Sequence, residues 1–147
     1  MTKVKYTKLH PMASVPQKGT EQAAAYDLFS IEDVYIPVGE TVMIRTGLAM
    51  EIPHGWKGEI YSRSGLASKG IVVANSPGKI DSDYRGEIKV LLRNERVTDL
   101  VGIKRGDRIA QFEINPVHPI DFEESENLDF TSRGNQGFGS TGKEKTK

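Results

Sequence analysis

The sequence predicts an all-β fold, and three observations carry that reading. Val and Ile, at 11 and 12 residues, outnumber Leu and Met, at 8 and 4. The turn formers Gly and Pro, 15 and 7 residues, are spread along the whole chain. Apolar residues recur in short segments of period two, and no long segment carries the period of an amphipathic helix. β-branched residues favour a pleated, half-buried surface, and frequent turn formers cut such a chain into short strands.

The elements follow in order along the 147 residues. Lys3-Val4-Lys5-Tyr6 alternates polar and apolar, the pattern of a half-buried strand. Glu21 to Ala25 has room for a helical turn or two. Thr41 to Ile52 reads as one or two strands interrupted at Gly47, with Val42 and Ile44 on one face. Pro53-His54-Gly55 is a turn signal, and Trp56 to Tyr61 resumes extended structure. Ser64 to Lys69 is a second short helical stretch, where Ser64 suits the N-cap and Gly70 the C′ position. Ile71-Val72-Val73 is a short buried run. Gly78 and Gly86 bound a hairpin that presents Asp81 and Tyr84. Glu87 to Arg93 alternates, with Ile88, Val90 and Leu92 facing one way. Asp107 to Ile114 alternates too, with Ala110, Phe112 and Ile114 on one face and Ile109, Gln111 and Glu113 on the other. Evenly spaced strands without a long helix imply a sandwich, a jelly roll or a closed barrel.

Composition removes several function classes. Lys plus Arg and Asp plus Glu both count 20, a net charge of zero, where a general nucleic-acid binder would carry a basic excess. Without cysteine there is no disulfide, no thiolate nucleophile and no zinc finger. His10, His54 and His118 are too scattered to show metal-ligand spacing. No apolar run approaches the roughly 18 residues of a membrane span, and the expectation is a soluble cytoplasmic domain. From Asp121 to Asp129 there are five acidic residues and no basic one; a glycine-rich stretch and a charged end follow. Such an ending cannot build a core. Residues 1–129 are expected to form the β domain and 130–147 a flexible C-terminal arm, either a disordered tail or one that orders on a ligand or neighbour.

Four clusters combine glycine and small hydroxyl residues with isolated charges. Arg63-Ser64-Gly65-Leu66-Ala67-Ser68-Lys69-Gly70 offers free N–H groups beside a guanidinium that can grip an anion bidentately; in isolation it reads equally as a capped surface turn. Gly78 to Gly86 carries Asp81, a candidate base toward water, and Tyr84, an aromatic able to pack on a sugar or base. In Gly106-Asp107-Arg108-Ile109-Ala110-Gln111, the amide of Gln111 either lines a polar cavity or faces solvent. Arg133 to Gly142 suits a backbone wrap around phosphates, because glycine lets N–H groups approach closely. Gly137 to Lys143 even matches P-loop spacing. Glu144 stands where Ser or Thr should follow, however, and too few residues follow for the helix of that motif.

Taken in this order, the clusters resemble the motifs of the homotrimeric deoxyuridine triphosphatases, the dUTPase family. Ala24-Ala25-Tyr26-Asp27-Leu28-Phe29-Ser30 resembles its first motif, and the four clusters its second to fifth. The resemblance implies a β jelly roll assembling as a homotrimer, with active sites shared between subunits and the arm donated by a neighbour. It implies Mg²⁺-assisted hydrolysis of dUTP to dUMP and pyrophosphate, which lowers dUTP and supplies dUMP for dTMP synthesis. It brings no nucleic-acid or membrane partner. Asp81 would activate water for attack on the α-phosphorus, Tyr84 would pack on the deoxyribose, and Asn75 with the hairpin backbone would read uracil. Arg63, Ser64, Gly65 and Gln111 would hold phosphates, with Asp27 meeting the magnesium through water. Arg133, Phe138, Gly139, Ser140 and Thr141 would close over the nucleotide, Phe138 stacking on uracil. Ala25, Ser62, Gly70, Lys79 and Asn135-Gln136 depart from the common pattern: glycine is common before Tyr-Asp-Leu, proline before the motif arginine, histidine after Lys69, an apolar residue two before the base, and small residues or glycine in the arm. Deoxycytidine triphosphate deaminases share the fold but need an acid/base glutamate, so Asp81-Ser82-Asp83-Tyr84 fits a diphosphatase better. A regulatory jelly roll without activity is the further alternative, disfavoured by Asp81 together with a whole arm.

Overall fold

The computed structural model describes residues 2–137. Phe138, Gly139, Ser140 and Thr141 lie outside them. The chain runs β1 (Lys5–Lys8), β2 (Gln17–Lys18), β3 (Tyr26–Phe29), β4 (Val34–Ile36), β5 (Thr41–Glu51) and β6 (Trp56–Tyr61). A short helix α1 (Ser64–Ala67) precedes β7 (Ile71–Val73), β8 (Gly78–Ile80), β9 (Ile88–Asn94), β10 (Val101–Ile103) and β11 (Arg108–Pro116). Sheet order is β1-β5-β9-β7 in one sheet and β2-β3-β11-β6-β8 in the other, with β10-β4 as a separate ribbon. Adjacent strands are antiparallel. No helix among the described residues is long and apolar enough to cross a membrane.

The inward faces of the two large sheets meet in one core. Ile44 and Leu48 of β5, Ile88, Val90 and Leu92 of β9, and Ile60, Ile109, Ala110 and Phe112 of β6 and β11 are all buried there. Each full burial of such a Val, Leu, Ile or Phe contributes about 1.5–3 kcal/mol. The alternation of β9 thus sorts its residues as the sequence predicts. Asn94 ends that strand fully buried, its Nδ2 donating to the Ile36 and Asp99 carbonyls at 3.0 and 3.1 Å while its Oδ1 accepts from Arg96 N at 3.0 Å.

Five sequence expectations need correction. Lys3 to Tyr6 gives not a half-buried strand but β1, whose four residues are all exposed on the edge of β5. Glu21 to Ala25 is a turn without helix. Ile109, expected on the polar face of β11, is fully buried, because a register shift between Arg108 and Ala110 turns it inward. The N-cap of α1 is Arg63, not Ser64, and no side chain caps it. The segment from Gly78 to Gly86 is not a hairpin: β8 pairs with β6 and β9 with β5 and β7, so it crosses from one sheet to the other. Gly47 does interrupt β5, which continues as one strand. Arg45 pairs with Lys89 and Leu48 with Ile88, and Gly47 between them has φ +68°. Its N–H donates to Glu87 Oε1 at 2.8 Å, and Thr46 Oγ1 donates to the Ile88 carbonyl at 2.6 Å.

Candidate active site

Among the described residues, all the sequence-predicted ones but Arg133 fall into two clusters. The first forms where β6 ends and β3, β11 and β6 lie side by side. Asp27 of β3 stands opposite Gln111 of β11, and Gln111 opposite Tyr61 of β6. Two residues past Tyr61, Arg63 Nε donates to Asp27 Oδ1 at 2.8 Å, and its Nη1 donates to the Arg108 carbonyl at 3.2 Å. Arg108 Nη1 lies 3.5 Å from the other carboxylate oxygen, Oδ2. Asp27 is only 6% exposed, and a buried carboxylate is costly unless paired and hydrogen-bonded. These two guanidinium groups satisfy it, and both line a groove of about 400 Å³. Lys69 and Arg96 also line that groove, against the single carboxylate of Asp107. Ser64 and Gly65 are exposed beside it, with nothing within 4 Å of where a side chain on Gly65 would begin. The cluster suits a polyanion.

The second cluster forms at the sheet-to-sheet crossing. Asn75, Asp81 and Tyr84 line a groove of about 440 Å³ with Lys79, Glu87 and Met43. Asp81 is exposed, and its carbonyl accepts from Tyr84 N at 3.2 Å, which closes a turn. The phenol Oη of Tyr84 donates to the Glu87 carbonyl at 3.0 Å, so the ring is tied down although 44% exposed. Both glycines of this segment seat a neighbour: a Cβ on Gly78 would stand 3.1 Å from Asn75 Nδ2, and one on Gly86 2.6 Å from Tyr84 Cζ. A carboxylate, an amide and an aromatic ring around one open groove suit a nucleoside and a water molecule.

The two grooves share no lining residue. Arg133 lines neither; its Nε donates to the Gln136 carbonyl at 3.0 Å within an exposed turn. Sequence reading misses a third group, on the polar side of β6. Glu59, only 6% exposed, accepts from Asn115 Nδ2 at 2.7 Å, Tyr61 Oη at 3.1 Å, Lys57 Nζ at 3.2 Å, and from Lys79 Nζ. Its pKa falls from 4.5 to about 2, first through the Lys79 bond and then through Asn115, against the opposing effect of burial. Lys79 is pushed up by the same bond. The only signal in the sequence is one of position, Lys79 being a cation two residues before Asp81.

The family model described as dUTPase matches residues 12–142. A deoxyuridine 5'-triphosphate nucleotidohydrolase of Nautilia profundicola is 54% identical over 142 residues, 96% of this chain and 99% of that protein. One of Helicobacter pylori strain Shi470 is 43% identical over 95% of this chain and 97% of that protein. Among solved structures, a Staphylococcus bacteriophage 80alpha dUTPase with dUPNHPP superimposes with a TM-score of 0.87 at 28% identity, covering 97% of this chain and 99% of that one. A mutant dUTPase from phage phi11 of S. aureus, described with a structural Mg(II) ion, gives 0.79 at 27% identity, covering 88% of this chain and all of that one.

Proposed function

The chain belongs to the dUTPase family, and from that premise we propose that it hydrolyses dUTP to dUMP and pyrophosphate with Asp81 as the base. The observation that carries the reading is the groove in which Asn75, Asp81 and Tyr84 converge. The Asp81 carboxylate takes a proton from water as the water oxygen bonds to the α-phosphorus. The bond from that phosphorus to the α–β bridging oxygen breaks, and pyrophosphate leaves with the electron pair. Tyr84, tied to Glu87, packs on the deoxyribose where a 2′-hydroxyl would collide. Asn75 and the backbone beside it read the uracil edge.

A triphosphate carries about four negative charges, and catalysis depends on cations and N–H groups set around it in advance. Arg63, Ser64, Gly65 and Gln111 hold the phosphates in this reading. Asp27 spends two of a carboxylate's roughly four lone-pair sites on Arg63 and Arg108, which leaves room for a shared water. That donor set fits Mg²⁺ carried on the phosphates and met by Asp27 through water, since this ion keeps several of its waters. When bound, the ion neutralises phosphate charge.

A homotrimeric jelly roll with shared sites accounts for two further observations. The grooves for nucleoside and phosphates share no residue, so one nucleotide bridging two copies would use both. Past β11, Ile120, Phe122 and Leu128 are 73–91% exposed, apolar side chains suited to cover by a second copy. The β domain then ends at residue 129, and residues 130–147 form the arm that brings Arg133, Phe138, Gly139, Ser140 and Thr141 over a neighbour's nucleotide. The test is turnover of dUTP, dCTP, dTTP and UTP with Mg²⁺, followed as pyrophosphate. We expect dUTP to exceed the others by at least roughly a hundredfold, since a shaped, hydrogen-bonding site rejects analogues strongly. Ammonia release from dCTP would instead mark a deaminase.

A further inference from the structure

We propose that the Glu59–Lys79 pair is a positioning device that sets the register of β8 and so the place of Asp81, an inference that rests on the dUTP hydrolysis proposed above. β8 has only three residues and lies at the edge of its sheet, paired to β6 alone. So few rungs specify register weakly, and a slip of one residue would send every side chain to the opposite face. Lys79 sits directly across from Glu59, flanked by the pairs Gly58–Ile80 and Ile60–Gly78.

Glu59 is buried and already holds Asn115, Tyr61 and Lys57, three partners from β6 and β11 that fix where its carboxylate points. A slipped register would leave the buried Glu59 carboxylate with Lys57 as its remaining cation and without the Lys79 bond, so the register that brings Lys79 to Glu59 is favoured. Lys79 and Asp81 are two residues apart, and Lys79 lines the groove that also contains Asn75, Asp81 and Tyr84. Gly78, on the other side of Lys79, packs on the Asn75 amide. The pair therefore locks the strand that joins Asn75 to Asp81. Neither Glu59 nor Lys79 needs to touch substrate.

The experiment compares the full chain with Lys79→Met, Glu59→Gln, the double variant and Lys79→Arg, measuring kcat and KM for dUTP with Mg²⁺ and the thermal midpoint. Misplacing a reacting group by about 1 Å can cost on the order of a hundredfold in rate. Each single charge removal is expected to lower kcat by roughly tenfold to a hundredfold with KM within about threefold. The double variant should lose no more than either single one, the non-additivity of two groups acting as a unit. Lys79→Arg, which keeps the cation, should return kcat to within about threefold of the unmodified chain. If Lys79→Met and Glu59→Gln melt lower but keep kcat, the pair only stabilises the fold and the inference is overturned. Should Lys79→Met not fold, Glu59→Gln carries the same comparison, because it keeps the side-chain shape. An unmodified chain that leaves dUTP intact would overturn the proposed function itself, and this inference with it.

Discussion

Replacing Gly86 by alanine tests the seat of Tyr84 without touching a charged group. The new Cβ would stand 2.6 Å from Tyr84 Cζ and 3.0 Å from Cε2, where ordinary contact begins at 3.4 Å. The obstacle is the far end of a side chain that is 44% exposed, so the ring yields and the backbone stays. Cζ must then withdraw by about 0.8 Å to regain ordinary contact, and Oη, which lies closer still to the new Cβ, by more. A shift of that size breaks the 3.0 Å bond from Tyr84 Oη to the Glu87 carbonyl. The net worth of such a bond is about 0.5–1.5 kcal/mol. If Tyr84 is held there to fit deoxyribose, kcat/KM for dUTP drops about 2- to 13-fold, at 1.36 kcal/mol per tenfold. UTP, whose 2′-hydroxyl collides with the seated ring, does no worse once the ring yields, so the dUTP-to-UTP preference falls by at least the same factor. Pyrophosphate release with each nucleotide gives both values, and a melting curve shows that the variant is folded. A folded Gly86→Ala chain with unchanged preference would refute the assignment of Tyr84 as the sugar gate.

Asp81→Asn is nearly isosteric but cannot take the proton, so kcat should fall by about 10² to 10⁴ while calorimetry still detects binding of a non-hydrolysable dUTP analogue; near-normal turnover would move the base elsewhere. The carboxyl of Glu59 titrates at about 2 in the fold against 4.5 as its ordinary value, so its contribution to stability is complete above about pH 4.5 and lost as pH falls toward 2. Urea unfolding from about pH 5 to about pH 3 should therefore narrow the stability gap between the unmodified chain and Glu59→Gln, and a constant gap would contradict the depressed value. Truncation after Asp129 should leave the melting temperature and the three-chain assembly seen in sedimentation unchanged, yet lower kcat by about 10² or more. Full activity of the shortened chain would reduce the glycine-rich end to a tail.

Legibility in the sequence followed the distance over which each feature is determined. Trp56–Tyr61 and Ile71–Val73 coincide with the strands read from local pattern, and the inward set of Ile88, Val90 and Leu92 follows from alternation alone. Asn75, Asp81 and Tyr84 reach one groove because they lie within ten consecutive residues of the chain. What escaped depends on partners far along the chain. The inward turn of Ile109 comes from a register shift against β3, which no local period encodes. The crossing after β8 looks like a hairpin because glycines bound it, whereas the choice of β6 over β9 as partner is made by tertiary packing. Strands of two or three residues, such as β2, β4 and β10, are too short to display a period at all. The contact of Arg63 with Asp27 spans 36 residues and that of Asn115 with Glu59 spans 56, so only the fold could introduce them.

Between Arg45 and Leu48, β5 advances three residues while the opposing strand moves only from Lys89 to Ile88. The surplus, Thr46 and Gly47, is an even number. Side chains alternate with each residue, so an even surplus returns Leu48 and Met50 to the inward side already held by Ile44. A single deletion here would turn both outward and carry their neighbours Ala49 and Glu51 inward. Removing the pair would instead leave a plain ladder with the same side facing in, at the loss of the Gly47 bond to Glu87. By this parity, length changes of two residues keep the inward set in place and changes of one do not. Homologous chains should differ in length here by even steps.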